Sequence, residues 1–391
     1  MLSHSFTRRA VIRNLLRTTA FAAIDIPALR SLAQSEFSGT TGQQRGEMGR
    51  IAGAFRRQYR VPAMSIAISR NGRFAYDRAD GMADHQHLTQ AQLDSLFRIA
   101  SLTKPITSVA IFSLIEQGKL NLNDKVFGPS GVLGTRYGKP PYKIYVADIT
   151  VDNLLTHTAG GWPAGDADPM FHNDSWDQTK LITSTIENIP LTNPPGAQWA
   201  YSNFGYCVLG RVIEQVTGQP YESYVQTSIL APCGITGMQI ARNKERQKAP
   251  NEVVYVGQYS EDPYKININR MDSDAGWIAS STQLVQFLNH VAGAPDIPAL
   301  LKPATIRTMT TPVAVYPAGP ARYARGWMVS GNGNWWHSGS LPGSTTIMVR
   351  TANGLCWAAL CNTRTEPHSE MDSALDRTMW DMVGSVPGWN V

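Results

Sequence analysis

Ser101 and Lys104 stand three residues apart, where an apolar, strand-like stretch gives way to helical spacing. Residues i and i+3 share one face of a helix, so the hydroxyl and the amine can reach hydrogen-bond distance. A serine hydroxyl is a weak nucleophile until a neighbouring base takes its proton, and a partly desolvated lysine can act as that base. The start of a helix also offers free backbone N–H groups, which favour developing negative charge. The pair therefore predicts an activated serine nucleophile.

Two further short motifs could complete such a site. Tyr201 and Asn203 flank a serine just before a helical run. A phenol beside an ammonium can relay a proton to a leaving group, and a carboxamide can both donate and accept hydrogen bonds. Taken alone, these two could equally be a buried tyrosine and a helix-capping asparagine. His337 lies late in a predicted strand, where Gly339 would let the backbone approach a substrate and the N–H of Ser340 could donate to an oxyanion.

The elements that must position these residues fall into an early, a middle and a late group. Apolar residues 63–69 and residues 73–76 flank Asn71 and Gly72, which predicts a β-hairpin. Helical spacing begins at Thr103, with Pro105 in the first turn and a stop at Gly118. Late strands are predicted at residues 325–330, 334–337, 344–350 and 355–361, and a last helix at residues 369–383. We expect an α+β fold: an antiparallel β-sheet flanked by helices, completed by both chain ends, with an inserted mainly α-helical domain at about 120–260.

Residues 1–33 differ in character from the rest of the chain. Arg8 and Arg9, followed by apolar residues and Arg13, resemble the twin-arginine export signal. Ser31 and Ala33 place small residues at the two positions that a signal peptidase reads, so we predict cleavage after Ala33. The expected product is an exported, periplasmic or secreted hydrolase domain over residues 34–391. An organelle transit peptide or an unprocessed tail remains the alternative.

Composition and charge exclude several classes of protein. The chain of 391 residues is 42% hydrophobic and 17% charged, which is ordinary for a globular protein. No apolar run is long enough for a membrane span. The net charge of +5 comes largely from the leader, which holds five arginines and one aspartate, so a nucleic-acid-binding surface is not expected.

The cysteines and histidines do not form a metal-binding pattern. His85 and His87 have no third ligand at supporting spacing, which favours a solvated loop. Cys356 and Cys361 lie five apart on one predicted strand, so they should point to opposite faces and not pair with each other. Whether these two, Cys207 or Cys233 enter any disulfide stays open, and small buried apolar side chains are the simpler interpretation.

Taken together and in this order, the three motifs resemble those of the penicillin-recognising serine hydrolases. That group includes class C β-lactamases, D-alanyl-D-alanine peptidases and their esterase and D-aminopeptidase relatives. Residues 154–160 (LLTHTAG) and 275–280 (AGWIAS) add to the likeness. The resemblance implies that Ser101 is the nucleophile, that Lys104 is its proton acceptor and that Tyr201 shuttles protons.

The same resemblance assigns the substrate-binding groups. Asn203 would contact the substrate amide and Lys104, and His337 would lie on the strand wall beside Gly339. The backbone N–H groups of Ser101 and Ser340 would form the oxyanion hole. No metal or organic cofactor is implied.

One departure from the family pattern bears on the substrate. The β-lactamases and cell-wall peptidases usually carry a lysine where this chain has His337, and a histidine is mostly neutral near pH 7. We therefore expect a carboxylesterase or small-amide hydrolase acting on a small ester, amide or D-amino-acid-containing molecule. The alternatives are a D-amino-acid-specific peptidase, a weak class C-type β-lactamase, and a non-catalytic module that binds peptidoglycan or a protein. The sequence leaves the oligomeric state open.

Overall fold

A computed structural model describes residues 39–259 and 261–389 of the chain. The predicted leader over residues 1–33 and its cleavage site lie outside these residues, so the division at Ala33 stays a prediction. Within the described ranges, no helix combines the length and apolar character needed to cross a bilayer.

Two antiparallel sheets account for the strands of the described residues. The larger sheet has eight strands in the order β3-β2-β1-β11-β10-β9-β8-β7, and the smaller has three in the order β4-β6-β5. The strands are β1 Ala63–Arg70, β2 Arg73–Asp84, β3 Thr89–Gln90, β4 Phe97–Arg98, β5 Gln239–Ile240, β6 Trp277–Ala279, β7 Ala321–Tyr323, β8 Met328–Ser330, β9 Trp335–Leu341, β10 Ser344–Arg350 and β11 Leu355–Cys361. Strand β1 lies between β2 and β11, so the early and late parts of the chain share one sheet, as predicted.

Helices flank the larger sheet on both sides. The helices of the described residues are α1 Gly42–Gln58, α2 Thr103–Glu116, α3 Val151–Leu155, α4 Gln178–Asn188, α5 Asn203–Thr217, α6 Tyr221–Val225, α7 Ser281–Ala292, α8 Pro303–Met309 and α9 His368–Gly384. Helices α1 and α9 bury the face of β1 that carries Ile66 and Ile68. On the opposite face, Ala67 packs in the core that includes α7, and Ser65 Oγ lies 2.8 Å from Ser281 Oγ. The predicted α+β class, an antiparallel sheet with flanking helices, is confirmed.

The sequence patterns located several elements and missed others. The hairpin at Asn71 and Gly72 and the helix from Thr103 are present as predicted. Helix α1 was not predicted, because residues 38–49 are polar and rich in Gly and Gln. Its start is nevertheless marked by a capping box between Thr41 and Gln44.

The late strands differ in extent from the prediction. Strand β9 continues to Leu341, beyond the predicted end at His337, because its pairing with β10 persists as far as Leu341 and Ser344. Strand β8 begins at Met328 and not at residue 325, since Gly326 adopts a φ of 83° that breaks the extended backbone. A short strand, β7, was not predicted and brings Tyr323 into the sheet.

The four cysteines are buried and free in the described structure. Cys356 and Cys361 belong to different apolar clusters, on opposite faces of β11, as their spacing predicts. They therefore act as small apolar side chains in the two halves of the core.

Candidate active site

Ser101 lies in a 3-10 turn, Ala100–Leu102, that joins β4 to α2. Ala100 has a φ of 49°, a left-handed conformation that costs a non-glycine residue about 1–2 kcal/mol. The turn is held by the larger sheet, where Thr346 Oγ1 donates to Ile99 O at 2.9 Å. The backbone at Gly339 comes so close that an added Cβ would lie 2.6 Å from Ile99 O. Gly339 thus permits close approach to the turn that carries Ser101, whereas the sequence suggested approach to a substrate.

Lys104 is fully buried in the first turn of α2. Its Nζ lies 3.0 Å from Ser101 Oγ, 2.7 Å from Asn203 Oδ1 and 3.0 Å from the backbone oxygen of Asp274. The last two partners can only accept hydrogen bonds here, whereas a serine hydroxyl can donate or accept. The fixed acceptors Asn203 Oδ1 and the Asp274 carbonyl therefore orient the Lys104 Nζ group toward Ser101 Oγ.

Tyr201 completes the contacts around the nucleophile. Its hydroxyl lies 2.9 Å from Ser101 Oγ, and its ring centre lies 4.8 Å from Lys104 Nζ. The Tyr201 hydroxyl and Lys104 Nζ both donate to Ser101 Oγ. The structure therefore brings together Ser101, Lys104, Tyr201 and Asn203, which the sequence placed up to 102 residues apart.

Asn203 is the first residue of α5 and its position is fixed from three sides. The side chain of Ser202 caps the helix by accepting the Gly205 N–H at 3.0 Å. The backbone N–H of Asn203 donates to Asp168 Oδ2 at 2.7 Å, and its side-chain oxygen accepts from Lys104. The carboxamide thus faces the site and not the helix backbone.

His337 lies in the middle of β9 and is buried. Its Nδ1 is 2.6 Å from the carbonyl oxygen of Ser338, which can only accept, so Nδ1 carries the proton. Nε2 is then the acceptor for the hydroxyl of Tyr323 at 3.2 Å. Burial, with a smaller effect from the nearby Lys104 ammonium, lowers the pKa of His337 to about 3. The strand wall therefore presents a neutral imidazole.

His157 supports Tyr201 from behind. Its Nδ1 accepts the backbone N–H of Ser202 at 3.1 Å, and its ring centre lies 4.3 Å from that of Tyr201. Burial and then the charges of Lys104 and His337 hold the pKa of His157 well below its usual range. His157 therefore packs against Tyr201 and helps to hold its ring in place.

Several neighbouring residues were missed by the sequence analysis. Asp168 is buried and accepts two backbone N–H groups, and Asp274 is buried beside Lys104. Among the described residues, none hydrogen-bonds to either carboxyl oxygen of Asp274. Burial raises the pKa of Asp274 well above its usual range. Both aspartates lie in loops without a recognisable motif, so their place in the site became apparent only from their tertiary contacts.

Aromatic rings pack around Tyr201. Trp199 is half-buried and packs edge-on against Tyr316, with ring centres 4.7 Å apart. The Tyr323 ring lies 6.1 Å from Trp199 and 6.4 Å from Tyr201. This apolar wall can contact the acyl or the leaving group of a substrate.

The described residues contain no cluster of three or more His, Cys, Asp or Glu side chains that could hold a metal ion. His87, one of the two histidines weighed as ligands, instead places Nδ1 2.8 Å from Asp84 Oδ2.

Comparisons with known proteins place the chain in a family. The Beta-lactamase family model matches residues 47–377. Protein flp of Staphylococcus aureus (strain MRSA252) is 27% identical over 74% of this chain and 57% of its own length. Esterase EstB of Burkholderia gladioli is 32% identical over 46% of this chain and 47% of its own. The chain therefore spans only about half the length of these curated relatives.

A solved structure of similar fold is the D-amino acid amidase from Ochrobactrum anthropi SV3, complexed with L-phenylalanine amide. It superposes with a TM-score of 0.71 at 21% identity, covering 88% of this chain and 99% of the amidase. Because the family model extends over most of the chain and the fold agrees with it, the protein belongs to the Beta-lactamase family, whose members are serine hydrolases.

Proposed function

We propose that this protein is a serine hydrolase that cleaves esters or small amides through an acyl-enzyme on Ser101, with carboxylesterase activity foremost. The observation that carries the proposal is the position of Ser101 Oγ, 3.0 Å from Lys104 Nζ and 2.9 Å from the Tyr201 hydroxyl. A nucleophile with a base and a second proton carrier, all in hydrogen-bond reach, is the arrangement that acyl transfer needs.

Acylation begins when Ser101 Oγ attacks the substrate carbonyl carbon and its proton passes to Lys104. The oxyanion of the tetrahedral intermediate accepts hydrogen bonds from the backbone N–H groups of Ser101 and Ser340. The contact between Gly339 and the Ile99 carbonyl supports this assignment, because it holds β9 against the turn that carries the nucleophile.

Collapse of the intermediate releases the leaving group, which takes a proton from Tyr201, and Tyr201 regains one from Lys104. In deacylation a water molecule attacks the ester carbonyl and gives its proton to Tyr201, which passes its own proton to Lys104. When the intermediate collapses, the bond to Ser101 Oγ breaks and Lys104 returns that proton to Oγ. Both proton carriers, Lys104 Nζ and the Tyr201 hydroxyl, lie within hydrogen-bond distance of Ser101 Oγ, and Nζ lies 4.8 Å from the centre of the Tyr201 ring.

The uncharged imidazole of His337 on β9 indicates which substrates fit. His337 occupies the position at which related β-lactamases and peptidases use a lysine to hold a substrate carboxylate. Because burial keeps this imidazole uncharged, it offers a carboxylate no ion pair. Substrates without a carboxylate next to the reacting carbonyl, such as simple esters, are favoured, in line with the name of the relative Esterase EstB.

A small D-amino-acid amide is the second candidate substrate. With Asn203 Oδ1 held by Lys104, the amide nitrogen Nδ2 is left to donate to a substrate carbonyl. The similar fold of the D-amino acid amidase is in keeping with this candidate. A non-catalytic binding role is disfavoured, because a binding module has no need for a buried lysine aimed at a serine hydroxyl.

The test uses the protein and its Ser101→Ala variant with p-nitrophenyl esters, a D-alanyl anilide and a chromogenic cephalosporin. Ser113→Ala, a half-buried serine on the far part of α2, serves as the matched control. We expect ester turnover that is lost in Ser101→Ala and kept in Ser113→Ala, with an adduct on Ser101 by intact mass. High cephalosporin turnover without ester turnover would contradict the substrate assignment, and no adduct with any substrate would contradict catalysis.

A further inference from the structure

Asp168 lies in a loop between two 3-10 turns, Gly165–Ala167 and Pro169–Phe171, and its side chain is fully buried. Its carboxyl group accepts two backbone N–H groups. Oδ1 accepts from Met170 at 3.0 Å, and Oδ2 accepts from Asn203 at 2.7 Å. One side chain therefore joins this loop to the start of α5.

The contact with Asn203 leads directly to the proposed nucleophile. Asn203 Oδ1 accepts from Lys104 Nζ, which lies 3.0 Å from Ser101 Oγ. A displacement of the Asn203 backbone would therefore move one of the two fixed acceptors that orient the Lys104 amine. Asp168 touches neither Lys104 nor Ser101 by hydrogen bond, so its influence must pass through Asn203.

The loop itself is anchored so that Asp168 can act as a fixed support. The buried guanidinium of Arg270 donates to four backbone carbonyls of residues 170–176: Met170, His172, Asn173 and Trp176. The four distances lie between 2.7 and 3.1 Å. A loop held in this way has little freedom to follow a movement of α5.

We propose that Asp168 is a positioning residue for catalysis, whose carboxylate fixes Asn203 and through it the Lys104 amine that activates Ser101. The proposal rests on the serine hydrolase function proposed above. It predicts that the protonation of Asp168 matters, because a carboxylate can accept both N–H groups, whereas a carboxylic acid carries a proton on one of its oxygens.

The surroundings of Asp168 shift its pKa toward the pH range in which the assays are run. Burial raises the pKa of Asp168 to about 6, and main-chain hydrogen bonds from Met170, Asn203 and Phe204, together with the Lys104 charge, oppose that rise. The titratable groups facing it are Lys104 from α2 and Asp274 from the turn before β6. Below pH about 6 the protein itself loses the carboxylate that holds Asn203.

The experiment compares Asp168→Asn with Asp166→Asn, an exposed carboxylate two residues earlier in the same loop. Both variants and the wild-type protein are reacted with a p-nitrophenyl phosphonate that labels Ser101, and kcat and KM are measured with p-nitrophenyl butyrate. The amide of Asp168→Asn has one acceptor oxygen where the carboxylate uses two, so we expect labelling and kcat to fall about tenfold or more at pH 8. We expect KM to change by less than about threefold, and Asp166→Asn to match the wild type.

The pH dependence separates positioning from a merely structural role. At pH 5 the wild-type Asp168 is itself protonated, so the ratio of wild-type to Asp168→Asn labelling rates should shrink to below about three. A ratio that is the same at pH 5 and pH 8, or an Asp168→Asn protein as fast as the wild type, would overturn the proposal. If Asp168→Asn does not fold, Asp168→Ser is used with the same expectations.

Failure of the underlying function gives a different result. A wild-type protein that takes no label on Ser101 and turns over no ester refutes the hydrolase assignment before any variant is compared. An active, labelled wild type with an unaffected Asp168→Asn refutes only the positioning role.

Discussion

Replacing Gly339 by alanine tests whether the contact between β9 and the Ser101 turn sets the rate. An added Cβ would lie 2.4 Å from Thr346 Oγ1, 2.6 Å from Ile99 O and 3.0 Å from Ala100 Cβ. The Thr346 hydroxyl can rotate away, but the Ile99 carbonyl and Ala100 Cβ move only if the turn or the strand moves. Restoring ordinary van der Waals distances requires strand β9 and the Ser101 turn to move apart by roughly 0.5–1 Å. Overpacking of this kind lowers the free energy of unfolding by about 1–3 kcal/mol.

The same shift acts on the chemistry, because it separates the N–H of Ser340 from that of Ser101. Loss of one oxyanion donor lowers kcat by about 10²–10³-fold, and a misplacement of about 1 Å has an effect of similar size. We therefore expect kcat for p-nitrophenyl butyrate to fall at least about 100-fold in Gly339→Ala, with a lower melting temperature.

Gly331→Ala is the matched control for this variant. Gly331 is exposed in the turn before β9, and no atom lies within 4 Å of its added Cβ. We expect its kcat and melting temperature to equal those of the wild type. A Gly339→Ala protein that keeps kcat within about twofold of the wild type would refute the view that this close approach builds the oxyanion hole.

Three further predictions follow from the site. Tyr201→Phe removes the hydroxyl 2.9 Å from Ser101 Oγ and should lower kcat by about 10²–10⁴-fold in ester assays, while an unchanged kcat would exclude Tyr201 from proton transfer. Asp274→Asn removes a buried carboxyl whose pKa is raised in the folded protein, so wild-type stability should decline as pH rises above about 4. Thermal melts should then show the variant more stable than the wild type at pH 8, with the difference vanishing near pH 4, whereas a variant less stable at pH 8 would contradict a raised pKa of Asp274. Because the pKa of His337 is lowered to about 3, His337→Asn should leave the shape of the kcat/KM profile between pH 5 and 8 unchanged, and loss of a limb near pH 6.5 would show that the imidazole titrates there.

Local signals in the sequence were sufficient for the first hairpin and for the helix that begins beside the nucleophile. The turn at Asn71 and Gly72 and the helical spacing from Thr103 depend on residues close together in the chain, so their structure could be predicted. The three motifs could be joined into one site only through the family resemblance, since nothing local brings Ser101 to Tyr201.

The remaining parts depend on contacts between distant residues. Tyr323 was missed because its role is to donate to His337, 14 residues later, across two strands. Asp168 was missed because it reaches the site through a hydrogen bond from the N–H of Asn203, which lies 35 residues later in the chain. The predicted end of β9 at His337 was wrong because Ser and Gly suggest a turn, while pairing with β10 keeps that segment extended.

The central position of β11 also determines the order in which the strands can pair during synthesis of the protein. Within the larger sheet of the described residues, the first hairpin, β1 and β2, pairs with β11, which in turn pairs with β10. Ala63 N–H also donates to Asn362 Oδ1 across 299 residues at 2.7 Å. On the ribosome, the strand that carries Gly339 can pair with β10 early but cannot join the first hairpin until residues 355–361 emerge. Chains truncated before residue 355 should therefore lack activity even though they contain every motif. Until β11 is made, the edge of β1 has unpaired backbone groups that could pair with another chain.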